Sequence, residues 1–165
     1  MVDAVELSPE TSQKAPSDRP SLGSGKVSPK FQAEIKKISW RQALELRDKA
    51  LYGENSQAMA HEQDDELALH YGAFLSGELI SVASVYLEPG KAKLKKFATL
   101  KPYRQTDVGK RLFDSILQEL RGCGIDQLYT EVRVKALSFY RSFGLKLVKP
   151  VKHEGVVYYL MAINF

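Results

Sequence analysis

The chain has 165 residues, with 24 Lys and Arg against 20 Asp and Glu for a formal net charge of +4, and 44% of it is apolar. This length suits one domain that closes a core unaided, and the single Cys123 excludes an internal disulfide framework and multi-cysteine metal sites. No apolar run approaches the ~20 residues that span a bilayer as a helix. Asp3, Glu6 and Glu10 stand where a targeting leader would be apolar or basic, so the expectation is a cytoplasmic protein without membrane contact.

Residues 1–30 carry most of the proline, much of the serine and no apolar period, and are expected to form a disordered tail ahead of one domain over 31–165. A first strand is expected over 31–38. Ser39-Trp40-Arg41-Gln42 then offers a capping box, followed by Trp40, Ala43, Leu44, Arg47 and Leu51 at helical spacing, with Gly53 as the stop. The polar stretch 54–66 reads as loop with a short helix. Its acidic run 62–66 reads as a solvated face, or as a field that draws a cationic amine.

Residues 67–75 and 79–87 are strand-like and joined through Ser76-Gly77-Glu78, which predicts a hairpin. Pro89-Gly90 turns the chain into another strand over 93–100. After a proline turn and a basic, polar loop comes a long helix with Val108, Leu112, Phe113, Ile116, Leu117 and Leu120 on one face, ended by Gly122 and Gly124. A strand over 127–132, a short helix over 136–143 stopped by Gly144, and a β-branched, aromatic strand over 156–163 complete the order. A meander followed by alternating helices and strands indicates an α/β sandwich on one mixed sheet of six to seven strands with about four helices.

The most informative stretch is 97–110, where an apolar strand passes through Pro102 and a polar loop into a helix. That order brings unpaired N–H groups and a positive helix end together, a seat for a phosphorylated ligand. Lys91, Lys93, Lys95, Lys96, Lys101, Arg104, Lys110 and Arg111 crowd the same region, which fits a polyanionic cofactor or a nucleic-acid patch. Interleaved aliphatics rather than exposed aromatics favour the cofactor. His61, His70 and His153 are scattered and read as surface or internally satisfied, although His70 and Tyr71 lie on a strand that could line a cleft. No metal site is expected, and Cys123 reads as a small residue near a helix end.

Arg104-x-x-Asp107-x-Gly109 resembles the acyl-CoA loop of the GNAT superfamily of N-acyltransferases, Arg/Gln-x-x-Gly-x-Gly/Ala, with Asp107 in one glycine position. The strand Leu128-Tyr129-Thr130-Glu131-Val132-Arg133 follows. Then comes Ala136-Leu137-Ser138-Phe139-Tyr140-Arg141-Ser142-Phe143-Gly144-Leu145, similar to the family's Ala-x-x-Phe-Tyr-x-x-x-Gly-Phe helix. The resemblance covers 31–165, with the specific motifs in the second half.

It implies a single-domain GNAT-like sandwich that moves an acetyl group from acetyl-CoA, a co-substrate, to a primary amine by direct attack in a ternary complex. Ala98, Thr99 and Leu100 would offer backbone groups to the pantetheine arm. Arg104, Gln105, Thr106, Asp107, Val108, Gly109 and Lys110 would hold the pyrophosphate. Tyr140 is the implied general acid, with packing beside Phe139 and Phe143 as the alternative. Glu131 is the implied base, with water as the alternative. Arg133 stands where many relatives carry an Asn on the arm, and reads as a cofactor contact or a solvated side chain. The acceptor is left open among small molecules, peptides and protein termini, and so is the choice of monomer or homodimer. Two other classes stay in view: a non-catalytic acyl-CoA-binding module, supported by Asp107, and a small basic nucleic-acid-binding domain, supported by the lysines.

Overall fold

A computed structural model describes residues 32–52 and 63–165. The expected tail, Phe31, the Gly53 stop, His61 and Glu62 lie outside the described residues.

Strand β1 (Glu34–Ile38) leads into helix α1 (Trp40–Arg47) through the expected capping box, with Ser39 Oγ accepting the Gln42 N–H and Gln42 Oε1 accepting the Ser39 N–H. The helix continues as a π-helical turn over Asp48–Tyr52. A 3-10 turn (Asp65–Leu67) then precedes β2 (Leu69–Leu75), β3 (Glu78–Glu88) and β4 (Lys91–Thr99). The β2–β3 hairpin turns at Ser76 and Gly77, both at positive φ, 51° and 84°, a backbone that glycine adopts without strain.

A 3-10 turn (Lys101–Tyr103) joins β4 to helix α2 (Val108–Arg121). Then follow β5 (Gln127–Val132), a 3-10 turn (Val134–Ala136), helix α3 (Leu137–Arg141), β6 (Lys146–His153) and β7 (Val156–Asn164). Among the described residues this makes seven strands and three α-helices, against about four helices expected.

The strands form one sheet in the order β1-β2-β3-β4-β5-β7-β6. Every neighbouring pair is antiparallel except β4 and β5, which are parallel and joined by the α2 crossover. One sheet face is covered by α2 and α3. There Val108, Leu112, Phe113, Ile116, Leu117 and Leu120 meet Tyr71, Ala83, Leu94 and Phe97 in the main core. Each such fully buried large side chain contributes about 1.5–3 kcal/mol, so this amphipathic face is ample reason for α2 to dock. The opposite face receives α1, whose Leu46 packs on Val82 and Ala98. At Gly72 neighbouring side chains fill the space a side chain would need: a Cβ there would stand 2.6 Å from Leu79 Cδ1.

Candidate active site

The parallel pair is the structural centre of the site. β4 and β5 pair only at Lys91–Gln127, Ala92–Leu128 and Lys93–Tyr129. Beyond that the strands separate, and the Thr130 hydroxyl donates to the Leu94 carbonyl at 3.0 Å, marking the closed end of a fork. A bulge bends β4 there. Lys96 sits at φ 54°, and the β3–β4 register slips between Ser84–Lys95 and Val82–Ala98. Crevices at the carboxyl ends of parallel strands are where α/β sheets take ligands.

Of the three strand residues assigned to the pantetheine arm, Leu100 gives its N–H to Ile80 O at 2.9 Å. Strand alternation then turns the N–H of Thr99 toward the β5 side of the fork and those of Ala98 and Leu100 toward β3. The Thr99 carbonyl accepts Arg104 Nε at 2.9 Å, leaving the Thr99 N–H as the group offered to the fork.

The loop from Arg104 to Lys110 leads directly into α2. Arg104 is committed inside the protein: its N–H reaches Lys101 O, and its Nη2 reaches Ala50 O at 2.9 Å. It staples the end of β4 to the π-helical turn. Thr106 closes the loop, with Oγ1 donating to Tyr103 O at 2.6 Å and accepting the Val108 N–H at 3.3 Å. Gly109 and Lys110 stand in the first turn of α2, where N–H groups have no intrahelical acceptor. Asp107 is exposed at φ −87°, makes no side-chain cap bond, and gives its carbonyl to Arg111 N–H at 3.0 Å. The loop therefore needs neither a positive φ nor an Asp cap at this position.

The expected basic crowd disperses. Lys96 is buried at 1% exposure, Arg111 Nη2 donates to Ala33 O, and Lys93 and Lys95 lie against the rings of Tyr129 and Tyr86. Gln105, Lys101 and Lys110 remain exposed at the loop.

Tyr140 extends from α3 into the main core, edge-on to Phe113 with ring centroids 5.3 Å apart. It is fully buried, and its hydroxyl has no hydrogen-bond partner among the described residues. Such an orphan costs about 1–3 kcal/mol. Burial alone also raises the phenol pKa well above its ordinary 10.

Glu131 follows Thr130 on β5, on the sheet face opposite the buried Leu128, Thr130 and Val132. Both of its carboxylate oxygens lie 3.1 Å from His153 Nε2, and Lys93 Nζ is 3.7 Å from Oε1. Arg133 lies over the Tyr158 ring and donates from Nη1 to the Tyr158 hydroxyl at 3.3 Å. His153 was invisible as a site residue in the sequence: only the β5–β7–β6 order brings it to Glu131.

His70 does not line a cleft. It is buried beneath α1, where Nε2 donates to Asp65 O and Nδ1 accepts from Ser84 Oγ, both at 2.7 Å. Asp65, expected in a solvated acidic face, is fully buried in a bidentate pair with Arg47 at 2.7 and 3.0 Å, with Tyr86 OH on Oδ1. Among the described residues no group of His, Cys, Asp and Glu could hold a metal, and no helix is long and apolar enough to cross a membrane.

A mixed sheet forked between its parallel strands, with the start of a helix following the fork, is an arrangement in which a crevice and unpaired N–H groups occur together. The comparisons make that arrangement specific. A family model described as an acetyltransferase (GNAT) domain matches residues 36–165, and the chain belongs to that family. It is 29% identical to Uncharacterized N-acetyltransferase YitI of Bacillus subtilis, covering 74% of this chain and 89% of that protein. Its fold is similar to the PaiA N-acetyltransferase of Thermoplasma acidophilum, solved in complex with coenzyme A. That match has a TM-score of 0.66 and 20% identity, and covers 82% of this chain and all 100% of that one. It is similar also to the ribosomal-protein-S18-alanine N-acetyltransferase of Escherichia coli, with a TM-score of 0.65, 19% identity, and 80% and 93% of the two chains covered.

Proposed function

We propose that the protein transfers an acetyl group from acetyl-CoA to a primary amine by direct attack, both substrates being bound together. The observation that carries this reading is the Tyr140 hydroxyl, fully buried and without a partner among the described residues, on the helix that follows the fork. A buried donor left unpaired at a stability cost is what a departing thiolate would use.

In this reading the pyrophosphate meets the N–H groups of Gly109 and Lys110 and the positive end of α2. The pantetheine arm lies along the fork, bonding the Thr99 N–H. From Thr99 back to Leu94 the strand spans about 16 Å at ~3.3 Å per residue, the reach of an extended arm, so the thioester arrives at the closed end. The acceptor ammonium loses its proton on the Glu131 side of the fork and its nitrogen attacks the acyl carbon. With its pKa raised by burial, Tyr140 stays protonated and holds the leaving sulfur by a hydrogen bond rather than surrendering its proton to it.

Titration calorimetry with acetyl-CoA, followed by a thiol-release assay over polyamine, amino-sugar, amino-acid and peptide amines, tests the reading. Binding with amine-dependent thiol release is expected. Binding without release from any amine points to a binding module, and absence of binding overturns the proposal.

A further inference from the structure

The family resemblance implies Glu131 as the base, with water as the alternative, but the carboxylate is already engaged. Both of its oxygens face His153 Nε2 at 3.1 Å, and Lys93 stands at 3.7 Å. A carboxylate only accepts, so the ring hydrogen of neutral His153 sits on Nε2 and its lone pair on Nδ1. Glu131 is 12% exposed and His153 29%, so the pair is shielded yet reachable. The Tyr158 ring on β7 lies tilted against the imidazole with centroids 5.6 Å apart, and is itself held by Arg133. The residue next to Glu131 is Thr130, whose bond to Leu94 closes the fork. The imidazole thus stands by the closed end, on the sheet face opposite α2.

Resting on the acetyl-transfer reading above, we infer that His153 is the general base for the acceptor amine, and that Glu131 is a positioning residue that fixes its tautomer and ring plane. A nucleophile's base oriented by a third group is a recurring arrangement. Glu131 from β5 and Tyr158 from β7 meet the imidazole directly; Lys93 from β4 reaches it through Glu131 and Arg133 through Tyr158, with Lys152 beside it on β6.

The step balances without further reagents. The ammonium gives one proton to Nδ1, and its nitrogen pair forms the N–C bond to the acyl carbon. The C–S bond then breaks, and its electron pair leaves on sulfur beside the Tyr140 hydroxyl. The amide nitrogen loses a second proton, which sulfur takes, and His153 returns the first to water.

The test uses the full chain and three readouts: thiol release against pH, acetyl-CoA affinity, and the 15N shifts of the imidazole. His153→Gln keeps a donor for Glu131 but takes no proton. It should lower kcat by a hundredfold or more within the 10²–10⁴ span of general base catalysis. It should also remove from the rising limb of kcat/KM the ionisation below that of the amine itself, with acetyl-CoA affinity unchanged. The wild-type shifts should report hydrogen on Nε2, and Glu131→Gln should mix the tautomers. If His153→Gln turns over like the wild type while Glu131→Gln loses the limb, Glu131 is the base and this inference falls, the acetyl-transfer reading standing. A wild type that binds acetyl-CoA but acetylates no amine overturns both. Hydrogen found on Nδ1 overturns the dyad alone.

Discussion

Tyr140 and Asp107 show how far one residue can be read. The Tyr140 motif is local, Phe-Tyr four residues before Gly144, so helix, stop and phenol are all visible in ten letters. Its burial was not visible, and in the proposed reaction burial makes it a hydrogen-bond donor rather than a proton donor. Tyr140→Phe keeps the ring against Phe113 and removes only the orphan. The unliganded protein should therefore melt no lower, and gain up to about 1 kcal/mol, while kcat falls by roughly tenfold to a thousandfold and acetyl-CoA affinity holds. A lower melting temperature with unchanged kcat would make the hydroxyl structural. At Asp107 two penalties that a non-glycine residue can bring to such a loop, strain at positive φ and a competing side-chain cap, are both absent. Charge remains. Asp107→Asn should tighten acetyl-CoA binding a few-fold at low salt, and the gain should vanish near 1 M salt, where the screening length is about 3 Å. A gain that ignores salt would contradict this.

Elements were legible where one pattern decides them. The capping box at Ser39, the hairpin at Gly77 and the apolar stripe of α2 each stand at the expected place. β6 was not legible as a separate strand, because KLVKPVKH has no buried face: it is an edge strand, the setting in which Pro150 is tolerated. The Arg47–Asp65–Ser84–His70 network was equally hidden, since it joins α1, a 3-10 turn, β2 and β3 across the sheet. It ties α1 to the strands, and it titrates. Burial first, with the Arg47 charge adding, lowers the His70 pKa below 6.5 against the opposing bond to Asp65 O. Because the unfolded chain binds that proton more readily, the His70 contribution is intact above about pH 6.5 and is lost as pH falls toward the lowered folded value. Chemical denaturation between pH 7.5 and 5 should show stability declining, and His70→Gln should flatten that slope. An equal slope in the variant would place the acid sensitivity elsewhere.

At the scale of the whole molecule, function depends on where the sheet stops being a sheet. Three parallel pairs hold β4 to β5, a hydroxyl closes the fork, and a bulge at Lys96 keeps the strands apart beyond it. Family and α/β sandwich were readable from the second half of the chain, because the crossover from β4 through α2 to β5 carries its motifs in sequence order. The proposed acceptor side was not readable, because its residues come from β4, β5 and the β6–β7 hairpin, segments that meet only through strand order. The account turns on one claim, that the fork and the start of α2 receive the coenzyme. Amide hydrogen exchange, resolved by residue, with and without saturating coenzyme A, tests it most directly. The account predicts slowed exchange at Thr99, Gly109 and Lys110, with β1 and β2 unchanged. Coenzyme A that binds while leaving those three amides exchanging as before, or that protects the β1–β2 edge instead, would contradict it.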